Sequence, residues 1–446
     1  MQDLRTFLAI LEQRGELVRV KKEVDRQHEV AAVMKSSAQQ SGPALLFERV
    51  KGAKIPVAAN VLASRQRVAF ALGTNIDELL DTYRQRLRKP IAPIRINEPG
   101  HSHKLPGLSS LPIIKISERD AGPYITAGVI FAAHPQTGKL NLSFQRMCPI
   151  SDSELAIYVG ETSDLHRYGQ AAGGKPLPVA VGIGLHPAFF LIAATRFPPE
   201  EEEIALVGGL LGEAVRLNKA PHGEWIIPEA AEIVLVGEID FQRTVPEGPF
   251  GEYTGYYGAG SLQARLSPVL KVNSIICKEN PIYQTVITGP TAGYESGHFS
   301  PLSKEAMLYT KLSQICPSVQ RVSLSTLGRY IAVVQVDGNL SDDDAKKLMG
   351  DVFANSVYVK YTILVDTDVD AYDARDVSWA LSTRVDPGKH MHIFPNMTME
   401  PLDPSTDNRC DKVGFDARKP AGENEGFFRH RVPGSENIRL EEYIVR

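Results

Sequence analysis

The chain has 446 residues, 43% of them apolar and 23% charged, with a formal net charge of −4. This composition excludes a disordered polymer, and the slight acidic excess excludes a basic nucleic-acid surface. Cys148, Cys277, Cys316 and Cys410 are scattered and form no CxxC pair, so neither a zinc framework nor a disulfide scaffold is expected, and a reducing cytoplasm suits the chain.

The length predicts two or three domains. LRTFLAILEQR at the N-terminus reads as an amphipathic helix with Leu4, Phe7, Leu8 and Leu11 on one face, not as a signal peptide. ELVRV is extended, QHEVAAVMKSSAQQ helical, PALLFERV extended, and NIDELLDTYRQRLR a helix ending before Pro90. The stretch from 90 to 112 is rich in Pro, Gly and Ser and reads as a linker. From about 113 to 300 strand signals dominate: AGVIFAAHP, KLNLSFQR, PVAVGIG, FFLIAATRF, AEIVLVGEI, SPVLKVNSIIC and PIYQTVIT. One helix, EEEIALVGGLLGEAVRL, interrupts them, and a mainly β domain, a barrel, is expected. Beyond 301, KEAMLYTKLSQI is helical and RYIAVVQV extended. SDDDAKKLMGDVFAN is a helix capped by Ser341, YTILVDTDVD a strand and ARDVSWALSTRV a helix, an alternation that predicts a helix-covered sheet. The tail after 400 is polar and partly extended. No run reaches membrane-spanning length.

TVPEGPFGEYTGYYG, 244 to 258, is too rich in Pro and Gly for a helix and reads as a shaped loop presenting Glu247 and Glu252. Paired carboxylates suit acid catalysis when one is desolvated, and Phe250, Tyr253, Tyr256 and Tyr257 supply an apolar setting. In KLNLSFQRMC a strand would put Leu142, Phe144 and Arg146 on one face. A guanidinium there wants an anion, either a structural carboxylate or a substrate. With two glutamates it would form a charge-coupled group. Asn141, His166 and Glu203 could ligate a hard divalent cation, but the spacing alone is a weak signal, and for Glu203, in PPEEEEIAL, an acidic first helical turn is the better explanation taken alone. His390 and His392 in KHMH lack a third ligand, the glycines at 182–184 and 208–212 do not form a dinucleotide fingerprint, and VDTDVDAYDARD lacks calcium-loop spacing.

PEGPFGEYTGYYG, NLSFQR, GPYITAG, PALLFERV, AEIVLVGEI, VSWALSTRVDP and DKVGFDAR together resemble the UbiD-like decarboxylases, in order, from the N-terminal helix to about residue 420. The resemblance implies a mixed α/β and β multidomain fold. Its expected parts are an N-terminal α/β domain with linker (1–110), a central split β-barrel like that of flavin reductases (111–305) and a C-terminal α/β oligomerisation domain (306–446). It also implies prenylated FMN. Arg146, Glu247 and Glu252 match the family's acid–Arg–acid trio, with Glu252 as proton donor. Asn141, His166 and Glu203 match its Mn2+ (or Mg2+) ligands at the flavin phosphate. Ser143, Phe144, Gln145 and Leu165 join the implied cofactor contacts, and Lys360 matches a lysine near the phosphate. A K+ site would use backbone carbonyls around Ala194 to Phe197.

The implied reaction is reversible, non-oxidative decarboxylation of an aromatic, furan- or pyrrole-type heteroaromatic, or α,β-unsaturated acid through a covalent flavin adduct. His298, in the Gly-rich stretch 289 to 301, is the candidate contact for the far end of the substrate. Implied partners are the acid, CO2, a flavin prenyltransferase supplying the cofactor and further copies of the chain, as a dimer or hexamer. Neither nucleic acid nor a membrane is expected. The competing expectations are a non-catalytic assembly subunit and a flavin reductase. The intact trio argues against the first and the missing dinucleotide fingerprint against the second.

Overall fold

The computed structural model describes residues 3–443 except 98–99, 199, 222, 258–263, 290–293, 339, 421–424, 428, 431, 435–437 and 439–441. Helix α1 (Leu4–Gln13) begins where Asp3 accepts the Thr6 amide at 2.9 Å, and it buries the expected Leu4, Phe7, Leu8 and Leu11 stripe. There follow β1 (Leu17–Val20), α2 (Glu29–Gln39), β2 (Ala44–Phe47), β3 (Val57–Ala59), α3 (Arg65–Ala71) and α4 (Leu79–Leu87). β1 runs parallel to β2 and β2 antiparallel to β3. The fourth strand of this sheet, β15 (Tyr283–Gln284), returns from much later in the chain to lie parallel to β3.

The stretch expected to be a linker is tied down twice. β4 (Ile94–Ile96) pairs with β11 (Arg216–Asn218), which also pairs with β12 (Ile227–Pro228), and β5 (His103–Leu105) pairs with β14 (Arg265–Cys277). Proline and glycine set its turns here without freeing it.

The largest sheet is antiparallel. Its path runs β7 (Leu140–Phe144), β6 (Val129–Ala133), β10 (Leu177–Ile183), β13 (Ile233–Glu247), β14, β9 (Glu154–Ile157) and β8 (Met147–Pro149). β7 and β8 stand at opposite ends of that path, yet only Gln145 and Arg146 separate them in the chain. The sheet must therefore curl until its two edges meet, and Arg146 sits at the seam of this partial barrel. Helices α5 (Asp164–Ala171), α6 (Pro187–Ala193) and α7 (Glu203–Leu211) accompany the barrel, with α6 and α7 packed on β7. FFLIAATRF, expected as a strand, is mostly α6. Pro187 occupies its first turn, and His186 caps it by accepting the Ala188 amide at 3.2 Å. A short apolar run cannot by itself distinguish a buried helix from a buried strand.

Helix α8 (Ser296–Ile315) leads into the last sheet and starts earlier than expected. It carries Pro301 inside, so no amide there can donate to the Gly297 carbonyl four residues back. The sheet order is β16 (Val319–Ser323), β17 (Ile331–Val336), β18 (Tyr361–Asp366), β20 (Arg409–Asp416), β19 (Met391–Thr398), with β17, β18 and β20 parallel. Helix α9 (Asp342–Asn355) packs on it with Ser341 accepting the Asp344 amide at 3.1 Å, as expected, and α10 (Ala374–Arg384) packs against β18. Among the described residues no helix is long and apolar enough to cross a membrane.

Candidate active site

Strand β13 ends at Glu247. The chain then turns at Gly248, whose φ of +94° lies in the region that favours glycine. The loop is fixed at several points. The Ala121 amide donates to Pro249 O at 2.8 Å, the Gly251 amide to Asp120 Oδ1 at 2.9 Å, and the Gly255 amide to Glu252 O at 3.0 Å. Asp120 is itself oriented by the Ser117 amide at 2.9 Å. The proline and glycine content thus serves a rigid presentation of two acids.

Arg146 meets both acids. Its Nε donates to Glu247 Oε1 and its Nη2 to Glu247 Oε2, each at 2.9 Å, while its Nη1 donates to Glu252 Oε1. The Glu247 side chain is 0% exposed, and those of Arg146 and Glu252 are 10% and 14% exposed. The guanidinium also stacks near the Tyr158 and Phe250 rings, 4.5 and 4.9 Å from their centroids. Burial opposes the Arg146 charge, but the Glu247 hydrogen bonds and both carboxylates outweigh it and raise its pKa. Burial pushes the Glu252 carboxyl above the usual range despite the pull of Arg146. One acid is forked and fully buried, the other singly contacted and raised, an asymmetry that suits an anchor and a proton donor.

The trio opens on a cavity of about 330 Å³ walled by Phe144, Phe250, Phe299 and Val286 as well as Arg146 and Glu252. A larger cleft of about 620 Å³ near Arg26, Leu111 and Asp152 holds none of the expected site residues. Ring size and apolar walls suit a flat, partly aromatic guest. Tyr253 lines the cavity, but Tyr256 is 63% exposed and walls off nothing.

The structure adds Arg329, which the sequence reading missed. It lines the same cavity and donates to Ser300 Oγ at 3.0 Å and to Ser296 O and Oγ at 3.0 and 3.1 Å. Its Nε is buried without a hydrogen-bond partner, and among the described residues no carboxylate pairs with it. Burial lowers its pKa against the attraction of Tyr253, Tyr330 and Glu400. It lies in the β16–β17 turn, which has no periodicity to mark it.

Asn141 and Glu203 come together as the metal expectation requires. Asn141 Nδ2 donates to Glu203 Oε2 at 3.1 Å, and the Leu142 amide donates to the same oxygen at 2.5 Å. Burial lifts the Glu203 carboxyl to about 7. Asn141 Oδ1 and Ser143 Oγ are buried without partners. Orphaned oxygens beside a buried carboxylate fit a hard cation. His166 is not brought to them. Its ring stands edge-on to Phe241 with centroids 6.2 Å apart, and its Nε2 lies 3.1 Å from Gln170 Nε2. Asp164, Arg167 and Tyr168 are what α5 gives to the cleft of about 430 Å³ beside Asn141 and Glu203. Among the described residues no three His, Cys, Asp or Glu side chains gather as a metal site, so Asn141 and Ser143 would have to contribute.

Of the remaining expected contacts, Phe144 packs on Phe190 at 4.8 Å between centroids and, with Gln145, faces the cavity. Leu165 is fully buried in the core. Lys360 holds Asp403 Oδ2 at 2.9 Å and Ser405 Oγ at 2.5 Å, so its ammonium is already engaged. Ala194 to Phe197 leaves the end of α6, with Ala194 on the trio's cavity and Phe197 on the Glu203 cleft. His298 lies within α8, not in a loop. It is not among the residues lining the trio's cavity, to which α8 gives Ser296, Phe299 and Ser300. Burial first, then Arg67 and Arg65, push its pKa down to about 4. Residues 290–293 of the Gly-rich stretch lie outside the described residues.

Three family models of 3-octaprenyl-4-hydroxybenzoate carboxy-lyase match the chain: the N-terminal domain over residues 8–87, the Rift-related domain over 87–291 and the C-terminal domain over 298–417. The UbiD-class enzyme HmfF from Pelotomaculum thermopropionicum, in complex with FMN, is 32% identical with a TM-score of 0.91, covering 99% of this chain and 100% of that one. An evolved dimeric form of HmfF with prFMN is 31% identical with a TM-score of 0.87, covering 100% of both chains. The vanillic acid decarboxylase of Sedimentibacter hydroxybenzoicus in its open form is 30% identical with a TM-score of 0.87, covering 99% of this chain and 98% of that one. With residues 8–291 and 298–417 matched by the family models and 99% of the chain matched in fold, the chain belongs to the UbiD family of carboxy-lyases.

Proposed function

We propose that the chain carries out reversible, non-oxidative decarboxylation of an aromatic or heteroaromatic carboxylic acid with prenylated FMN. The observation that carries this reading is the Arg146 fork on buried Glu247, with Glu252 held by a single contact at an apolar cavity. Relatives in complex with FMN and prFMN support the cofactor.

Losing CO2 from an sp² carbon leaves an electron pair that no side chain can delocalise. Bound prenylated flavin supplies the electron sink. The chain's own residues do the rest. Arg146 orients the departing carboxylate, and Phe144, Phe250 and Phe299 hold the ring and exclude water. Glu252, protonated at higher pH than a free glutamate, delivers a proton to the carbon that lost CO2. Glu247 keeps Arg146 aimed and remains the anion of the pair. Asn141, Glu203 and Ser143 would hold a divalent cation whose charge offsets a flavin phosphate.

Arg329 narrows the substrate class. A guanidinium lining the cavity favours an acid bearing a second anionic or hydrogen-bond-accepting group. The α,β-unsaturated acids without such a group suit it less. The evolved dimeric form of HmfF supports a homo-oligomer for this chain too.

The test is co-expression with a flavin prenyltransferase and anaerobic purification. The absorption spectrum and mass of the bound cofactor are then recorded, and CO2 release is measured over mono- and dicarboxylic aromatic acids. Bound prenylated FMN with CO2 release from at least one acid is the expected result. Bound prenylated FMN with no release or exchange from any acid in the panel would contradict the reading.

A further inference from the structure

Tyr124 is not among the residues lining the cavity, yet it is bonded to the acid pair. It is 1% exposed. Its backbone is locked where the Tyr124 amide donates to Ile114 O at 3.0 Å and the next amide, of Ile125, donates to Met147 O at 2.9 Å. Its hydroxyl donates to Glu247 Oε1 at 2.9 Å. Its ring packs on Phe250 at 4.7 Å between centroids, and Phe250 belongs to the loop carrying Glu252. Glu247 thus receives the Tyr124 hydroxyl besides two Arg146 donors, whereas Arg146 gives Glu252 one.

Two carboxylates on one guanidinium titrate as a pair. At the working state the pair must hold one proton, and only a proton on Glu252 is useful. Each hydrogen bond donated to an ionised carboxylate favours that ionised form. The phenol can donate but, while protonated, adds no charge of its own. The other groups facing the pair are Arg265, opposite Glu247 across β13 and β14, Cys148 beside Tyr124, and Asp120 behind the loop. The plainer account is a core tyrosine that has satisfied its hydroxyl on the nearest oxygen.

We propose that Tyr124 is a positioning residue that keeps Glu247 ionised and thereby reserves the pair's single proton for Glu252. This rests on the decarboxylase reading for its catalytic consequence, but not for its effect on the pair.

The experiment uses Tyr124→Phe, which keeps the ring against Phe250 and removes only the hydroxyl. Without the donor Glu247 becomes easier to protonate, so the acid limb of the kcat–pH profile moves to higher pH, by about one unit. Turnover at the optimum falls about tenfold or more, the scale of a lost hydrogen bond to a charged group. KM and bound flavin stay within about twofold. The same change is read without turnover in the flavin-free protein. Infrared carboxyl bands, assigned with Glu247→Gln and Glu252→Gln, should show the proton spreading onto Glu247 in Tyr124→Phe. A folded Tyr124→Phe with wild-type carboxyl titration overturns the proposal, and so does an unmoved acid limb in an active enzyme. Should the decarboxylase reading fail, the infrared titration still decides whether Tyr124 controls the pair.

Discussion

Arg146 and Glu247 meet at two points, Nε on Oε1 and Nη2 on Oε2, each 2.9 Å long. The pairing joins the seam between β7 and β8 to the end of β13, so the curl of the sheet and the catalytic geometry are one constraint. It leaves Nη1 to hold Glu252, the acid nearer the substrate space.

Arg146→Lys keeps the charge but loses the fork. The protein should fold, and CO2 release should fall by about 10²-fold or more, as expected when a carboxylate-orienting clamp is lost. Arg146→Ala should do worse. It leaves Glu247 buried without its cation, at a cost of about 3–5 kcal/mol in denaturant unfolding.

Arg329→Met keeps much of the side-chain volume and removes the cavity's second guanidinium. The ratio of kcat/KM for an aromatic dicarboxylate over its monocarboxylate analogue should fall about tenfold or more, since one charge-assisted hydrogen bond is lost. Flavin content should hold. An unchanged ratio would remove Arg329 from substrate recognition.

Glu203 would tie metal binding to pH. Its folded carboxyl titrates at about 7, above the unfolded value, so the folded state binds the extra proton between the two. The metal-free protein should therefore lose stability as pH rises from about 4.5 through 7, within the usual range of carboxyl linkage. Mn2+ should raise Tm more at pH 8 than at pH 5.5, because a cation needs the ionised form. Glu203→Gln should abolish that metal-induced rise and flatten the loss. His166→Ala should alter the metal response less than Glu203→Gln does, given a ring turned toward Phe241 and Gln170.

Much of the candidate site was legible because its residues carry local signals. Glu247 and Glu252 sit in a stretch too rich in Pro and Gly to be anything but a loop, and Arg146 follows an alternating strand. Helix α1 announced itself by its apolar stripe and α9 by its cap, Ser341. What failed depends on the rest of the chain. FFLIAATRF is helical because Pro187 and His186 start a helix there, and apolarity alone was silent on it. The 90–112 stretch looked like a linker because β4 and β5 are three residues each and find distant partners. Arg329 had no local mark at all, and only the fold brings its turn to the cavity. Tyr124 carried no mark beyond its place in GPYITAG, and only the fold buries it and brings its hydroxyl to Glu247.

The central claim is that Glu252 delivers the proton, and the most direct measurement is on Glu252→Gln loaded with prenylated FMN. The amide is nearly isosteric and can still meet Arg146, so folding and flavin binding should survive. It has no carboxylic proton to give. Decarboxylation, and H/D exchange at the product carbon in D2O, should both fall by about 10²-fold or more, the scale of a positioned general acid. Wild-type rates of both, with the cofactor bound, would contradict the account.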